Sequence, residues 1–330
     1  MISAVIVNHK SFKFLEPLIN SLKKEGVEEI ILVDNSLDKG EEKKLENLNG
    51  VEIYLLNENN GLGSALNFGA KKAKGEFLLF LNPDLVFKDG SIEELKREIR
   101  NCHAVGPFLF WDEDEKFCLP YPYFINFYFE FFKILFPKLI LKYYLKYENK
   151  IWNSEKPLRL PLLSGSCFLI KREIFEKVGG FDEKYFLYFE ENDFFRRFKK
   201  MGYNSSFVPS SKVIHFFNLN KSEVHSKYYE DSKKYYENKY FPAFTRFVLN
   251  FARKIMKRKV NKIEEINPKE IKNFPILLSP FSDFIPSVLI KNSMDWQKLE
   301  EKLEKISFKE GYIGFMRKNS VLKSFYFQVK

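Results

Sequence analysis

Short apolar runs alternate with amphipathic segments over residues 2–100, and this order limits the folds that the chain can adopt. The apolar runs are typical of strands buried on both faces, and the segments between them carry apolar residues at helical spacing. This order predicts an α/β fold, a mostly parallel sheet covered by helices on both sides. We expect strands at 2–7, 29–33, 51–56 and 77–81, and helices at 14–25, 41–48, 63–74 and 91–100.

Polar side chains follow three of these strands where each strand ends. They are Asn8, Asp34 within an Asp-Asn-Ser cluster, and the Asn-Pro-Asp run at 82–84. Ligands of open parallel sheets bind outside the carboxyl ends of the strands, so three polar groups at one edge indicate a ligand site. Pro83 cannot extend the sheet and therefore directs Asp84 off the strand end. The alternative for Asp84 is a simple turn or cap.

A glycine-containing loop, 59–63, joins the third predicted strand to a helix. Gly61 and Gly63 match part of a dinucleotide-binding fingerprint, but its third glycine is missing. The sequence leaves two interpretations open: a flexible turn, or a loop whose backbone amides approach a diphosphate.

The order and spacing of several motifs extend these observations over residues 1–240. The motifs are VIVNHKS, ILVDNS, NENNGLGSALNFGAKKAKGEFLLFLNPD and LSGSCFLIKREIFEKVGGFDEKYFLYFEENDFFRRFKKMGY. Together they resemble the family 2 glycosyltransferases, within which the chain is most similar to the rhamnosyltransferase-like branch. The resemblance implies a GT-A fold and inverting transfer of a sugar, with rhamnose as one candidate. The implied donor is a dTDP- or UDP-sugar, and the implied acceptor is a hydroxyl of a glycan or lipid-linked molecule in cell-envelope polysaccharide synthesis.

The resemblance also implies roles on the donor side. Residues 82–84 stand where the family has an Asp-x-Asp motif, so Asp84 is expected to hold a divalent metal, Mg²⁺ or Mn²⁺, against the donor diphosphate. His215 could complete the metal shell, although a purely structural histidine is the alternative and the family's His-x-x-Gly continuation is absent. Asp34 is expected at the base or ribose, with an Asx-turn as the alternative. The predicted donor pocket comprises Asn8, Asp34, Asn60, Gly61, Asn67, Asn82 and Asp84.

Three carboxylates, those of Glu190, Glu191 and Asp193, fall within four positions. Acidic residues are favoured in a first helical turn, and Asp193 could pair with Arg197 four residues on. The resemblance places the general base at Glu191, where the family has Asp, with Glu190 as the second candidate. Such a base takes the proton of the attacking acceptor hydroxyl in a single inverting displacement.

Segments that match the family near its acceptor site contain Gly165, Ser166 and Asp182. The glycine is expected to allow close approach of the backbone. We therefore assign these three residues to the acceptor side.

Two stretches are not needed by the α/β core, an aromatic insert at about 121–150 and a basic amphipathic helix at 241–262. Phe247, Phe251 and their apolar neighbours fall on one face of that helix, which suits a membrane interface. The sequence thus predicts a cytoplasmic protein attached peripherally to the inner face of the cell membrane. A helical hairpin that packs its aromatics on the core is the alternative for the insert. Residues 263–330 are expected to form a small appended module.

The net charge and the cysteine content limit which other partners and sites are expected. The net charge of +10 suits an anionic partner, but no nucleic-acid recognition motif accompanies it, so no nucleic-acid partner is expected. Three dispersed cysteines argue against a disulfide framework or a zinc site. One rival function is a nucleotidyltransferase, which needs a basic triphosphate loop near the N-terminus. Another is a non-catalytic, membrane-associated glycan-binding or scaffold protein, which the departures at Asn82 and Glu191 keep open.

Overall fold

A computed structural model describes residues 1–216, 223–255, 276–279, 287–290, 299, 310–317 and 320–328. Its first half alternates strands and helices as the sequence predicts. The elements are β1 (Ile2–Asn8), α1 (Phe12–Lys24), β2 (Glu29–Asp34), α2 (Lys39–Leu45), β3 (Glu52–Leu55), α3 (Leu62–Lys72), β4 (Phe77–Leu81), β5 (Leu85–Phe87) and α4 (Ser91–Glu98). A 3₁₀ turn, Ile99–Asn101, then leads to β6 (Ala104–Phe110) and β7 (Phe117–Cys118).

The second half of the described chain is mostly helical before it returns to strands. Its elements are α5 (Phe127–Leu135), α6 (Pro137–Trp152), β8 (Leu158–Leu160), β9 (Cys167–Lys171), α7 (Arg172–Val178), α8 (Glu190–Lys200), β10 (Ser205–His215), α9 (Glu223–Tyr240), α10 (Ala243–Ile255), β11 (Ile276–Ser279), β12 (Val288–Ile290), β13 (Glu310–Arg317) and β14 (Ser320–Gln328).

The predicted sheet is confirmed at the centre of the fold. β3, β2, β1 and β4 lie side by side and parallel, and β6 pairs in parallel with β10. Between these two groups β9 runs antiparallel to both β4 and β6. β1 and β2 are buried along their whole length, as expected for strands covered on both faces.

The aromatic insert forms two helices, α5 and α6, in agreement with a helical hairpin. Asn126 caps α5 by accepting a hydrogen bond from the Phe129 N–H at 3.0 Å. Pro137 begins α6, where a missing N–H costs nothing because the first turn has no partner for it. The hairpin buries only part of its aromatic surface, since Tyr128, Phe132 and Phe136 remain exposed.

A small hydrophobic cluster links the segment before α8 to the helices that follow β10. We call it the rear cluster; its buried members are Ile125, Tyr185, Phe189, Tyr236, Phe241 and Leu249. The cluster places α9 and α10 directly behind the turn that begins α8.

The described C-terminal strands share the central sheet. β12 pairs with β7, and β11, β13 and β14 continue from it in antiparallel order. α10 ends at Ile255, so the basic end of the helix expected at 241–262 lies outside the described residues, as does much of the module expected at 263–330. Among the helices that the structure describes, none has the length and apolarity to cross a bilayer.

Candidate functional site

The neighbouring ends of the parallel strands β1 and β2 form the floor of the candidate site. Asn8 and Asp34 are paired at the ends of β1 and β2. The Asn8 Nδ2–H donates to Asp34 Oδ1 at 2.6 Å, and the Ser36 hydroxyl donates to Asp34 Oδ2 at 2.7 Å. Both oxygens of this buried carboxylate are thus fixed in place, and each can still accept one further bond.

The loop before α3 is held by Asn59, a residue that the sequence analysis did not single out. Asn59 Oδ1 accepts hydrogen bonds from Asn35 Nδ2 at 2.9 Å and from the Gly61 N–H at 3.0 Å. Gly61 has φ +94°, and a Cβ there would stand 2.3 Å from the carbonyl oxygen of Phe186. The glycine is therefore required for the close approach of two loops. Asn60 lies exposed beside it.

Asn67 ties α3 to the turn after α7. Its Oδ1 accepts from the Phe181 N–H, and its Nδ2 donates to the Phe181 carbonyl and to Glu183 Oε1, each at 2.9 Å. Both amide hydrogens are engaged within the protein. The residue predicted to line the donor pocket thus positions the loop that leads to α8.

A turn at 82–84 carries the predicted metal ligand. β4 ends at Leu81, and after Pro83 the short strand β5 pairs antiparallel with the last residues of β10, where Leu85 lies opposite His215. This pairing brings His215 Nε2 to 3.2 Å from Asp84 Oδ1. Burial raises the pKa of the Asp84 carboxyl, but the adjacent His215 imidazole and a backbone N–H together lower it by more, so the net shift of that pKa is downward.

The donor set at this turn is one carboxylate and one imidazole. No cluster of three or more His, Cys, Asp or Glu suited to a metal occurs in the part of the chain that the structure describes. Two protein ligands fit a divalent cation whose remaining positions are filled by water and by phosphate oxygens of a bound nucleotide. The residues present therefore fit a metal that binds together with its substrate.

The turn at 82–84 is joined to the predicted acceptor loop. The Asn82 N–H donates to the Ser166 carbonyl oxygen at 2.8 Å, and the hydroxyls of Ser164 and Ser166 lie 2.7 Å apart. A Cβ on Gly165 would stand 3.2 Å from both Cβ and Cγ of Glu191. The loop 164–166 therefore borders the turn at 82–84 on one side and Glu191, the predicted general base, on the other.

The two base candidates begin α8 after a strained turn. Tyr188 and Phe189 both have left-handed backbone, with φ of 71° and 70°. Such conformations cost about 1 kcal/mol or more for residues with bulky side chains and persist where the surroundings impose them. Phe189 is held by the rear cluster, in ring contact with Tyr229 and Tyr236.

Glu190 and Glu191 differ in exposure. Glu190 is buried, and its Oε2 has no hydrogen-bond partner among the described residues. Glu191 is half-buried beside the acceptor loop. Burial raises the pKa of both carboxyls, and the neighbouring Glu191 charge raises the pKa of Glu190 further. The helix N-terminus favours ionisation but is the weaker influence here.

Asp182, which is predicted on the acceptor side, and Asp193 are both bonded by residues of α9. Asp182 accepts hydrogen bonds from Tyr235 at 3.0 Å and from Lys239 Nζ at 2.7 Å. Asp193 is fully buried and pairs with Arg197 at 2.8 Å, which confirms the predicted i,i+4 pair. Lys239 bonds both aspartates and so links α9 to α8. No local sequence pattern marks Lys239, because its partners are distant along the chain.

Two family models match the sequence. Residues 3–179 match the model described as glycosyl transferase family 2, and residues 146–221 match the N-terminal domain of galactosyltransferase.

Several rhamnosyltransferases are similar to this chain. It is 26% identical over 220 residues to the dTDP-rhamnosyl transferase RfbF of Shigella flexneri, covering 65% of this chain and 68% of the relative. It is 24% identical over 244 residues to the rhamnosyltransferase WbbL of Escherichia coli K12, covering 69% and 88%. A 68-residue stretch is 46% identical to the N-acetylglucosaminyl-diphospho-decaprenol L-rhamnosyltransferase of Mycobacterium tuberculosis H37Rv, covering 21% of this chain and only 22% of that protein.

Among solved structures, the chain is similar in fold to GalNAc-T7, crystallised with UDP, GalNAc and Mn²⁺. The TM-score is 0.51 at 20% identity, over 78% of this chain and 55% of that one.

Proposed function

Because the chain belongs to glycosyl transferase family 2, whose model matches more than half of it, we propose that it is an inverting glycosyltransferase. It moves a sugar from a nucleoside-diphosphate sugar to an acceptor hydroxyl. The observation that carries this proposal is the loop 164–166. It contacts Glu191 on one side and hydrogen-bonds the Asn82–Asp84 turn on the other, so a base and a diphosphate-binding group border the same loop.

The similar rhamnosyltransferases favour rhamnose as the sugar and a dTDP- or UDP-sugar as the donor. The name of the mycobacterial relative includes a diphospho-decaprenol, which favours a lipid-linked or glycan acceptor. We place the reaction in cell-envelope polysaccharide synthesis, at the inner face of the cell membrane.

On the donor side, Asp84 and His215 would hold a divalent cation, Mn²⁺ or Mg²⁺, and imidazole as a ligand favours Mn²⁺ of the two. When bound, the cation neutralises the negative charge that grows on the departing diphosphate. Asn8 and Ser36 hold the Asp34 carboxylate so that it can accept from a ribose hydroxyl or a base N–H. Asn82, at the same edge, offers an amide to the ribose. The exposed Asn60 and the Gly61 backbone border this donor pocket.

On the acceptor side, Glu191 removes the proton of the attacking hydroxyl. The new bond forms between that oxygen and the anomeric carbon, while the bond from the anomeric carbon to the diphosphate oxygen breaks on the opposite face. The configuration therefore inverts in one step. The pKa of Glu191 is raised toward neutral pH, and a general base is most effective when its pKa lies near the pH of the reaction. Glu190 is the second candidate for the same role.

The deciding experiment measures release of nucleoside diphosphate from dTDP-, UDP- and GDP-sugars with Mn²⁺, with Mg²⁺ and with EDTA. Wild type is compared with Asp84→Ala and with Asp89→Ala, a matched change at an exposed aspartate that pairs with Lys24 on the surface. Metal-dependent release by wild type and Asp89→Ala, but not by Asp84→Ala, supports the proposal. Absence of both release and metal-dependent nucleotide binding by calorimetry would refute it and favour a non-catalytic protein.

A further inference from the structure

The exposed face of α10 is unusually apolar. Leu249 and Ala252 are buried on the side that faces the protein. On the opposite side Phe247 is 68% exposed and Phe251 is 58% exposed, with their rings stacked 6.3 Å apart. Phe244 and Ile255 extend the same stripe at helical spacing. A row of aromatics this exposed marks an interaction surface.

A second stripe lies on the neighbouring helix. α10 packs against α5, and α5 packs against α6. Tyr128, Phe132 and Phe136 recur every four residues along α5 and just beyond it, and all three are exposed. Leu139 and Tyr143 continue the exposed apolar surface along α6. We call this surface, on α5, α6 and α10, the aromatic platform.

The exposed charges on the three helices of the aromatic platform have one sign. The three helices contain only two acidic residues, Glu130 and Glu148, and both are buried. The exposed charged residues of the same helices are all lysines: Lys138, Lys142, Lys146, Lys150 and Lys254. Aromatic side chains rimmed by lysine complement the headgroup region of an anionic bilayer.

Buried ion pairs fix the orientation of α10. Arg253 donates to Glu237 on α9 at 2.7 Å and to Glu130 on α5 at 3.2 Å. Lys233 on α9 also pairs with Glu130 at 3.0 Å. Because these bonds hold the inner face of α10, its phenylalanines are held outward.

The aromatic platform also has a defined relation to the proposed catalytic turn. Leu249 of α10 and Phe189, which directly precedes Glu190, belong to the same rear cluster. The surface of α10 therefore lies one packed layer behind the turn that carries the base candidates.

We propose that the aromatic platform docks the protein on an anionic lipid bilayer, with the phenylalanines of α10 inserted at the level of the headgroups. If the proposed function is correct, the acceptor is presented from that same bilayer. The docking itself does not depend on catalysis.

The test is flotation of the full chain with vesicles of phosphatidylcholine alone or mixed with phosphatidylglycerol. The variants are Phe247→Ser/Phe251→Ser on α10, Tyr128→Ser/Phe132→Ser on α5, and Met201→Ser as a control at an exposed apolar residue outside the platform. Circular dichroism and thermal melting establish that each variant is folded.

We expect wild type and Met201→Ser to float with the phosphatidylglycerol vesicles and to be released by salt. The α10 double variant should bind at least about tenfold more weakly, because two inserted phenylalanines are lost. Changing both Lys142 and Lys146 to Gln should weaken binding by about fivefold per charge. Tyr128→Ser/Phe132→Ser should show a similar loss if α5 shares the surface.

Wild type that stays with the soluble fraction, or an α10 double variant that floats like wild type, would overturn the proposal. A wild-type dimer that the α10 substitutions convert to a monomer, without vesicle binding, would identify the platform as a contact between two copies instead. Floating protein that releases no nucleotide in any donor assay would leave docking intact and count against the transferase.

Discussion

The imidazole Nε2 of His215 lies 3.2 Å from Oδ1 of Asp84. Because β5 pairs antiparallel with the end of β10, this contact is set by backbone hydrogen bonds and does not depend on a flexible loop. The two proposed cation ligands can therefore be in place before any nucleotide binds, which reduces the cost of ordering the site.

Asp84→Asn tests the metal turn with almost no change of shape. Loss of the carboxylate charge should lower metal-dependent nucleotide release by about 100-fold or more, because a neutral amide is a poor ligand for a hard cation. Calorimetric titration with Mn²⁺ and nucleoside diphosphate should show a matching loss of affinity. Asp89→Asn should behave as wild type; an equal loss there would mean that net charge, and not this ligand, matters.

Glu191→Gln should lower transfer to an acceptor by about 10²–10⁴-fold while leaving nucleotide affinity unchanged. Because burial raises the pKa of Glu191, wild-type activity should fall on the acid side at a pH above the ordinary glutamate value. A pH–rate profile measured alongside nucleotide binding separates the two effects. If Glu190→Gln causes the larger loss, the roles of the two glutamates are reversed.

Glu190→Gln should make the protein more stable at neutral pH. Burial raises the pKa of Glu190 in the folded state, so the folded state retains a proton that the unfolded chain releases as pH rises through about 4.3. The contribution of Glu190 to the free energy of unfolding is therefore fully present at acid pH and is lost as the pH rises. Glutamine mimics the protonated form, and we expect a gain on the order of 1 kcal/mol at neutral pH, disappearing in acid, by urea unfolding.

Two glycine substitutions should separate function from folding. The atoms nearest to a Cβ at Gly165 belong to the Glu191 side chain, at 3.2 Å, so Gly165→Ala should slow transfer by about tenfold with little change in melting temperature. A Cβ at Gly61 meets backbone at 2.3 Å with φ at +94°, so Gly61→Ala should cost about 2 kcal/mol or more in stability. Equal effects of both on melting would contradict this division.

Asp193 is a buried carboxylate bonded by Arg197, Lys239 and Tyr240. Lys239→Met removes one of the two cations that bond Asp193 and should destabilise the protein by about 2 kcal/mol, because Arg197 and Tyr240 still compensate part of the buried charge. Lys177→Met removes a lysine of the exposed Glu173–Lys177 pair and should cost less than about 0.5 kcal/mol. Denaturant unfolding of both variants compares the buried and surface pairs directly.

Local patterns were sufficient to predict the strands β1 to β4 and the polar groups at their ends. β1, β2 and β4 are mainly apolar and buried, and the ends of β1 to β4 meet because parallel strands share an edge. The first turn of α8 was likewise readable from the spacing of its acidic residues. The family resemblance supplied the roles of Asp84 and Glu191, which remain proposals.

The contacts that position the site were not readable in the same way. Asn59, Lys239 and Arg253 act on residues that only the folded chain brings near, and nothing in their immediate sequence distinguishes them from surface residues. The left-handed turn at Tyr188–Phe189 is equally hidden, because neither residue type favours that conformation. Asn67 shows the opposite case: its position suggested a donor contact, but its amide is used to hold the Phe181 loop.

The bond from Lys239 to Asp193 has a consequence for swapping segments between relatives. The two family models end at or before residue 221, yet the lysine that clamps the proposed catalytic helix lies on α9, beyond that limit. A chimera joined at residue 221 would keep Asp193 and Arg197 but would lose the second cation that bonds this buried aspartate. Chimeras intended to change the acceptor specificity should therefore take α8 and α9 together from the same relative.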